Sequence, residues 1–218
     1  MFQRLLKTIV VTSLSIALPS TLVIAQSAPP AADTYSFSAE PSANFGSQPI
    51  LVVQEGVHSY LRFNLATLPL GVSVSKATLR LYVDAFAANG SFDVYQLNNS
   101  WSESTLTYKN EPSLGASATG GHPVAVTASS VNQFVVIDIT PLVQAWVNGS
   151  EANNGVALSL QGNSGAFAFD SKESSATSHQ PELEIALTGP AGPQGPQGQQ
   201  GLTGPTGPQG LALSLIHI

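Results

Sequence analysis

The sequence predicts an all-β, antiparallel two-sheet sandwich with one short helix, followed by a glycine-periodic C-terminal tail. Three observations predict it. Short apolar runs alternate with Gly, Asn, Ser and Pro from Asp33 onward, the punctuation of strands and turns. One stretch alone, Thr140 to Gly149, carries helix-end signals. Glycine then recurs at every third position from Gly189 to Gly210, a period that neither a strand nor an α-helix uses.

Residues 1–25 read as an export signal. Arg4 and Lys7 give a basic start, Ile9 to Ile24 is apolar or small, and Val23 and Ala25 suit the small-residue cleavage positions, so cleavage is expected after Ala25. Pro19 interrupts the apolar run and leaves it short for a membrane-spanning helix. Residues 26–32 include Ala28-Pro29-Pro30-Ala31-Ala32, have no periodicity, and read as a linker.

The expected domain covers residues 33–187. Its strands are Asp33 to Phe37, Ile50 to Val53, Tyr60 to Leu65, Ala77 to Val83, Ser91 to Leu97, Gln133 to Ile139, Val156 to Gln161, Ala166 to Asp170 and Glu182 to Leu187. Such short, evenly punctuated strands suit two stacked sheets. Period-two alternation places Leu61, Phe63 and Leu65, and Leu79, Leu81 and Val83, toward the core. In Thr140-Pro141 to Asn148-Gly149 the Thr reads as a cap, the Pro as a first-turn residue and the Gly as a stop. Leu142, Val143, Trp146 and Val147 share one side, so this helix of about two turns is expected to plug an end of the sandwich.

Residues 188–212 keep eight glycines in register, and Pro follows five of them. Only Gly fits at the axis of three polyproline-type chains, so this tail predicts a collagen-like triple helix and a homotrimer. Residues 213–218, Leu-Ser-Leu-Ile-His-Ile, break the register. They read as the translated end of a sequencing adapter, so they are expected to be a library artefact and the natural tail to be longer.

Composition narrows the function. The chain has no Cys, which excludes disulfides, thiolate metal sites and a cysteine nucleophile. Seven basic and 13 acidic residues give −6; without Arg4 and Lys7 the balance is 5 − 13, or −8. Such a surface repels phosphate backbones, which argues against nucleic acid. His58, His122 and His179 stand in turn-like polar contexts with no Gly-x-Ser-x-Gly elbow and no zinc-ligand spacing. Asp138, Asp170, Glu173, Glu182 and Glu184 supply carboxylates, but no spacing selects an acid/base pair. The reading is therefore a non-enzyme without a cofactor. Asn89-Gly90-Ser91 and Asn153-Asn154-Gly155 are oxygen-rich enough for Ca²⁺, although tight hairpin turns account for them better.

Ligand-binding candidates are the rings of Tyr82, Tyr95, Trp101 and Tyr108, which could stack on sugar faces, and the guanidinium groups of Arg62 and Arg80. Trp101 reads equally as an anchor beneath a loop. Arg62 and Arg80 lie on the outward phase of their strands, where they either pair with late acids such as Glu173 or face an anionic ligand.

Taken in order, Ala32-Asp33-Thr34-Tyr35, Asn44-Phe45-Gly46, Tyr60-Leu61-Arg62-Phe63, Ala77-Thr78-Leu79-Arg80-Leu81-Tyr82, Trp101-Ser102-Glu103-Ser104-Thr105, Asp138-Ile139-Thr140, Val143-Gln144-Ala145-Trp146 and Asp170-Ser171-Lys172-Glu173 resemble the DNRLRE domain family, also classed as carbohydrate-binding module family 96. The resemblance spans Asp33 to Leu187. It implies a jelly-roll-like sandwich, a secreted or cell-surface setting, and a polysaccharide ligand, acidic glycans such as alginate among them. Lys172 departs from the family, where Arg is common before Glu173. The resulting expectation is a secreted, non-catalytic carbohydrate-binding or surface-adhesion module on a trimerising stalk with no membrane span after cleavage. The alternatives are a purely structural head or spacer of an extracellular appendage, and a polysaccharide-active enzyme.

Overall fold

The computed structural model describes residues 23–68 and 72–188. Residues 1–22 of the expected export signal, the Gly-X-Y repeat and the terminal hexapeptide lie outside them.

The described residues form β1 (Val23–Ala28), β2 (Pro30–Phe37), β3 (Ile50–Gln54), β4 (Val57–Phe63), β5 (Ser73–Ala88), β6 (Gly90–Leu97), β7 (Leu114–Ser117), β8 (Val124–Val126), β9 (Phe134–Asp138), α1 (Thr140–Asn148), β10 (Val156–Gln161), β11 (Ala166–Asp170) and β12 (Glu182–Thr188). Two antiparallel sheets result. The first runs β1-β12-β5-β11-β3 with β9 also paired to β5, and the second runs β2-β4-β10-β6-β7 with β8 also paired to β6. Neighbours are mostly non-consecutive in sequence, so connections cross repeatedly between sheets, as in a jelly-roll-like sandwich.

Alternation builds the core as expected. Leu61 and Phe63 of β4, Leu79, Leu81 and Val83 of β5, and Phe92, Leu158, Phe169, Leu183 and Ile185 from their neighbours are at most 1% exposed and belong to one cluster. Each fully buried side chain of this size contributes about 1.5–3 kcal/mol. Leu65 lies beyond the end of β4 and packs only partly buried against this cluster.

The same alternation sends Tyr60 and Arg62 to the opposite side of β4, yet Tyr60 is fully buried. The connection from β6 to β7 folds back over the second sheet. Its Trp101 and Leu106 pack on Ala32, Tyr60, Leu97 and Ala157 to make a second apolar cluster. One side of the sandwich is thus roofed.

The helix forms where its end signals place it, with Leu142, Val143 and Trp146 buried. Its cap differs from the expectation. Ile139 holds the cap position, and the side chain of Asp138 accepts from the Thr140 N–H (2.9 Å) and hydroxyl (2.6 Å). Gly149 closes the helix in the left-handed region at φ 72°.

Two other readings change. Residues 26–32, read as a linker, lie largely in strands: β1 pairs β12 from Val23↔Thr188 to Ala28↔Leu183, and β2 begins at Pro30. The sequence signal is weak because each strand is short there and Pro29 separates them. Asn89-Gly90 is not a hairpin turn, since β5 and β6 belong to different sheets. It is a corner, and a Cβ on Gly90 would meet the Gly165 Cα at 2.7 Å and the Ser164 carbonyl at 2.8 Å.

Candidate functional site

The six sequence-predicted binding residues divide between the two sheets. Arg62, Tyr95, Trp101 and Tyr108 belong to the roofed side, and Arg80 and Tyr82 to the open face of the first sheet.

On the roofed side the residues are occupied with one another. Trp101 is 9% exposed, its indole N–H donates to the Asn154 carbonyl at 2.9 Å, and its ring centroid is 6.0 Å from that of Tyr60. Arg62 donates to the Trp101 carbonyl at 3.1 Å and lies 5.4 Å over its ring. The Tyr95 hydroxyl accepts from Gln161, and Tyr108 is half-buried in a 3₁₀ turn. Beside it, Glu111 accepts from Ser36 and Tyr60, both at 2.8 Å, with His58 at 3.5 Å. Burial works to raise the Glu111 carboxyl, but the hydrogen bonds from His58, Ser36 and Tyr60 outweigh it and hold it below the usual carboxylate range. Burial pushes the Tyr60 hydroxyl far above its ordinary value, so it stays a donor to Glu111, and this group of residues pins the roof. A groove of about 390 Å³ lined by Ser100, Trp101, Ser102, Thr105, Leu106 and Asn110 marks the roof edge.

Motif residues also converge at one end of the sandwich. Asp33, Glu103 and Glu173 bring carboxylate oxygens within 4.8 Å of one another, a spacing suited to a cation. The cation there is the Lys172 ammonium, 2.5 Å from Glu103, in contact with Glu173, and 4.0 Å from Asp33. Burial works against that charge, but Glu103 and Glu173 raise the ammonium above its usual range. Asp33 is 1% exposed, and burial, reinforced by Glu173, raises its carboxyl to about 7 against the opposing pull of Lys172. The arrangement ties β2, the roof and the segment after β11 together. Asn153 and Asn154 are likewise structural, donating to the Phe63 and Leu97 carbonyls.

The open face is different. Register sets Tyr82 beside Phe134, Arg80 between Val136 and Glu182, and Thr78 between Asp138 and Glu184. His179, from the connection before β12, stacks on Tyr82 at 3.9 Å and meets Phe134 edge-on at 5.6 Å. Val136 is 60% exposed and is the one large hydrophobic so exposed among the described residues. Arg80 is held by Glu184 at 2.6 Å and Glu182 at 3.3 Å, and lies 4.5 Å over the Phe134 ring. Of the two roles open to Arg80, the structure thus shows pairing with late acids, though with these two rather than Glu173.

Two concavities adjoin on this face. One of about 500 Å³ is lined by Gln26, Ser27, Lys76, Thr78, Glu182 and Glu184. The other, of about 250 Å³, is lined by Ser27, Phe134, Ser178, His179, Gln180 and Glu182. They share Ser27, whose hydroxyl donates to Glu182 at 2.7 Å. Together they form a shallow groove edged by rings, hydroxyls and amides, the mixture that small-molecule sites use. Sequence reasoning missed Phe134 and set His179 aside as a scattered surface histidine. The outward phase of Phe134, Val136 and Asp138 was the available signal, but only the pairing of β9 with β5 brings it beside Tyr82.

No curated protein matches the chain. Among known families, residues 24–187 match carbohydrate-binding module family 96, which takes in both β1 and the whole sandwich. A match over most of the chain, on a two-sheet antiparallel β-fold, identifies the module class: this chain belongs to carbohydrate-binding module family 96.

Proposed function

We propose that the module is a secreted, non-catalytic polysaccharide binder that takes its ligand along the open face of the first sheet. The observation that carries the reading is the cluster of half-buried rings of Tyr82, Phe134 and His179, with the exposed Val136, beside a groove with hydroxyl, amide and carboxylate partners. Pyranose rings present apolar C–H faces to such rings and hydroxyls to such polar groups. Export is read from the signal-like residues 1–25, of which Val23 to Ala25 also start β1, and no helix among the described residues is long and apolar enough to cross a membrane. Display in three copies follows from the Gly-X-Y repeat, and three weak sites on one stalk gain avidity without any strong single contact.

Affinity electrophoresis through gels containing individual polysaccharides tests the reading. The wild-type module is retarded by at least one polymer, and Phe134→Ala with His179→Ala abolishes the retardation while the chemical unfolding midpoint stays near wild type. Retardation that survives the double substitution places the ligand elsewhere.

A further inference from the structure

We infer that this groove reads its glycan at two ends: rings hold a sugar face at one, and Lys76, as the specificity-determining residue, receives the carboxylate of an acidic sugar at the other. The inference rests on the polysaccharide-binding reading and adds to it a residue and a minimum ligand length.

Period two along β5 brings Lys76, Thr78, Arg80 and Tyr82 to the open face in one row, while Ala77, Leu79, Leu81 and Val83 are buried in the core. From Lys76 to Tyr82 that row is about 20 Å of strand. One end carries Tyr82 with His179 and Phe134 around it. The other carries Lys76, which is exposed and lines the larger concavity. Ser27 and Glu182 belong to both concavities, so the groove is continuous between the ends. Lysines often blunt a sheet edge. Lys76 has no edge to guard, because β5 lies between β12 on one side and β9 with the start of α1 on the other.

The remaining charges of the face are matched to other groups. Arg80 holds Glu184 at 2.6 Å and Glu182 at 3.3 Å. Asp138 accepts from the Thr140 hydroxyl and N–H, and these bonds, more than the field of Lys76, hold its carboxyl below the usual range. No carboxylate among the described residues lies within 4.0 Å of the Lys76 ammonium. Its charge is therefore open to a ligand, and the flexible stem lets it meet a carboxylate along the groove. A mono- or disaccharide is too short to reach from the rings to this ammonium. A longer oligomer meets both, and two weak contacts on one ligand reinforce each other.

The test uses the whole chain in affinity gels containing alginate or polygalacturonate, each also in a form whose carboxyl groups are reduced to primary alcohols, with xylan and mannan alongside. Reduction keeps the sugar backbone and removes its charge. The expected result is retardation by one acidic polymer about fivefold stronger than by its reduced form, the upper end for a single exposed ion pair, with the difference erased by high salt. Lys76→Gln brings that ratio to about one, and Lys76→Arg restores it. With oligomers of the same polymer as competitors, a hexasaccharide releases the chain at a concentration about tenfold or more below that of a disaccharide. A ratio near fivefold in Lys76→Gln, or wild-type retardation that is indifferent to the carboxyl groups, overturns the role of Lys76 and leaves polysaccharide binding intact. A disaccharide as effective as the hexasaccharide overturns the two-ended reading. Failure of every polymer to retard the chain overturns both the inference and the binding reading beneath it.

Discussion

Removing the Trp101 side chain separates its two readings, sugar platform and loop anchor. In the structure the indole is 9% exposed, fills the second apolar cluster over Tyr60 and Ala157, supports the Arg62 guanidinium, and donates one hydrogen bond to Asn154. Truncating a buried Trp to Ala costs about 3–5 kcal/mol, and the lost indole bond is about 1 kcal/mol within that. For a domain of this size each kcal/mol moves Tm by about 2–4 °C, so Trp101→Ala lowers it by roughly 6–20 °C. Trp101→Phe keeps much of the packing and loses the N–H, so it falls between the two. Denaturant unfolding followed by far-ultraviolet circular dichroism measures the change, with affinity gels run at a temperature where the variant remains folded. A loss below about 1 kcal/mol together with abolished glycan retardation would refute the anchor reading, since a platform residue contributes to binding and little to the fold.

Asp33→Asn flattens a pH dependence. The folded carboxyl is harder to ionise than the unfolded one, so its contribution is complete below the unfolded value of 3.8 and is lost as pH rises through about 7. Unfolding midpoints of wild type between about pH 5 and pH 8 fall relative to those of the variant; parallel profiles contradict the assignment. Gly90→Ala forces a methyl against the backbone of Ser164 and Gly165 and costs about 1–3 kcal/mol in denaturant titrations, whereas an unchanged midpoint shows that the corner yields freely. Asp138→Ala removes the acceptor at the start of α1 and lowers stability by about 1 kcal/mol, measured the same way. Sedimentation equilibrium with and without residues 189–210 is expected to give trimer and monomer respectively; monomer in both cases removes the avidity argument.

The parts of the fold that were legible in the sequence are those governed by local periodicity. Leu79, Leu81 and Val83 alternate cleanly, and Pro141 and Gly149 bracket α1 by backbone chemistry alone. What escaped depends on long-range pairing. β1 is visible only through its partner β12, and Asn89-Gly90 has the composition of a hairpin although its flanking strands join different sheets. The candidate residues show the same limit. Alternation correctly sent Arg62 and Arg80 outward, but whether outward means solvent depends on the connection from β6 to β7, which covers one and leaves the other open. Nothing local to Phe134 or His179 says that they meet over Tyr82.

That covering connection also gives the module a handedness of use. A sandwich with two bare faces can lie on a flat polymer surface either way up, and half of its encounters are wasted on neither side. With Trp101 and Leu106 covering the second sheet, the cluster of Tyr82, Phe134 and His179 stands on the uncovered flank, so under the proposed reading the domain acts like a stamp with a single inked side. Thr188, the last described residue, ends β12 within that same inked sheet. If a ligand lies along that sheet as proposed, the end of β12 sits in the plane of contact rather than behind it, and tension applied there loads the contact as shear along the groove.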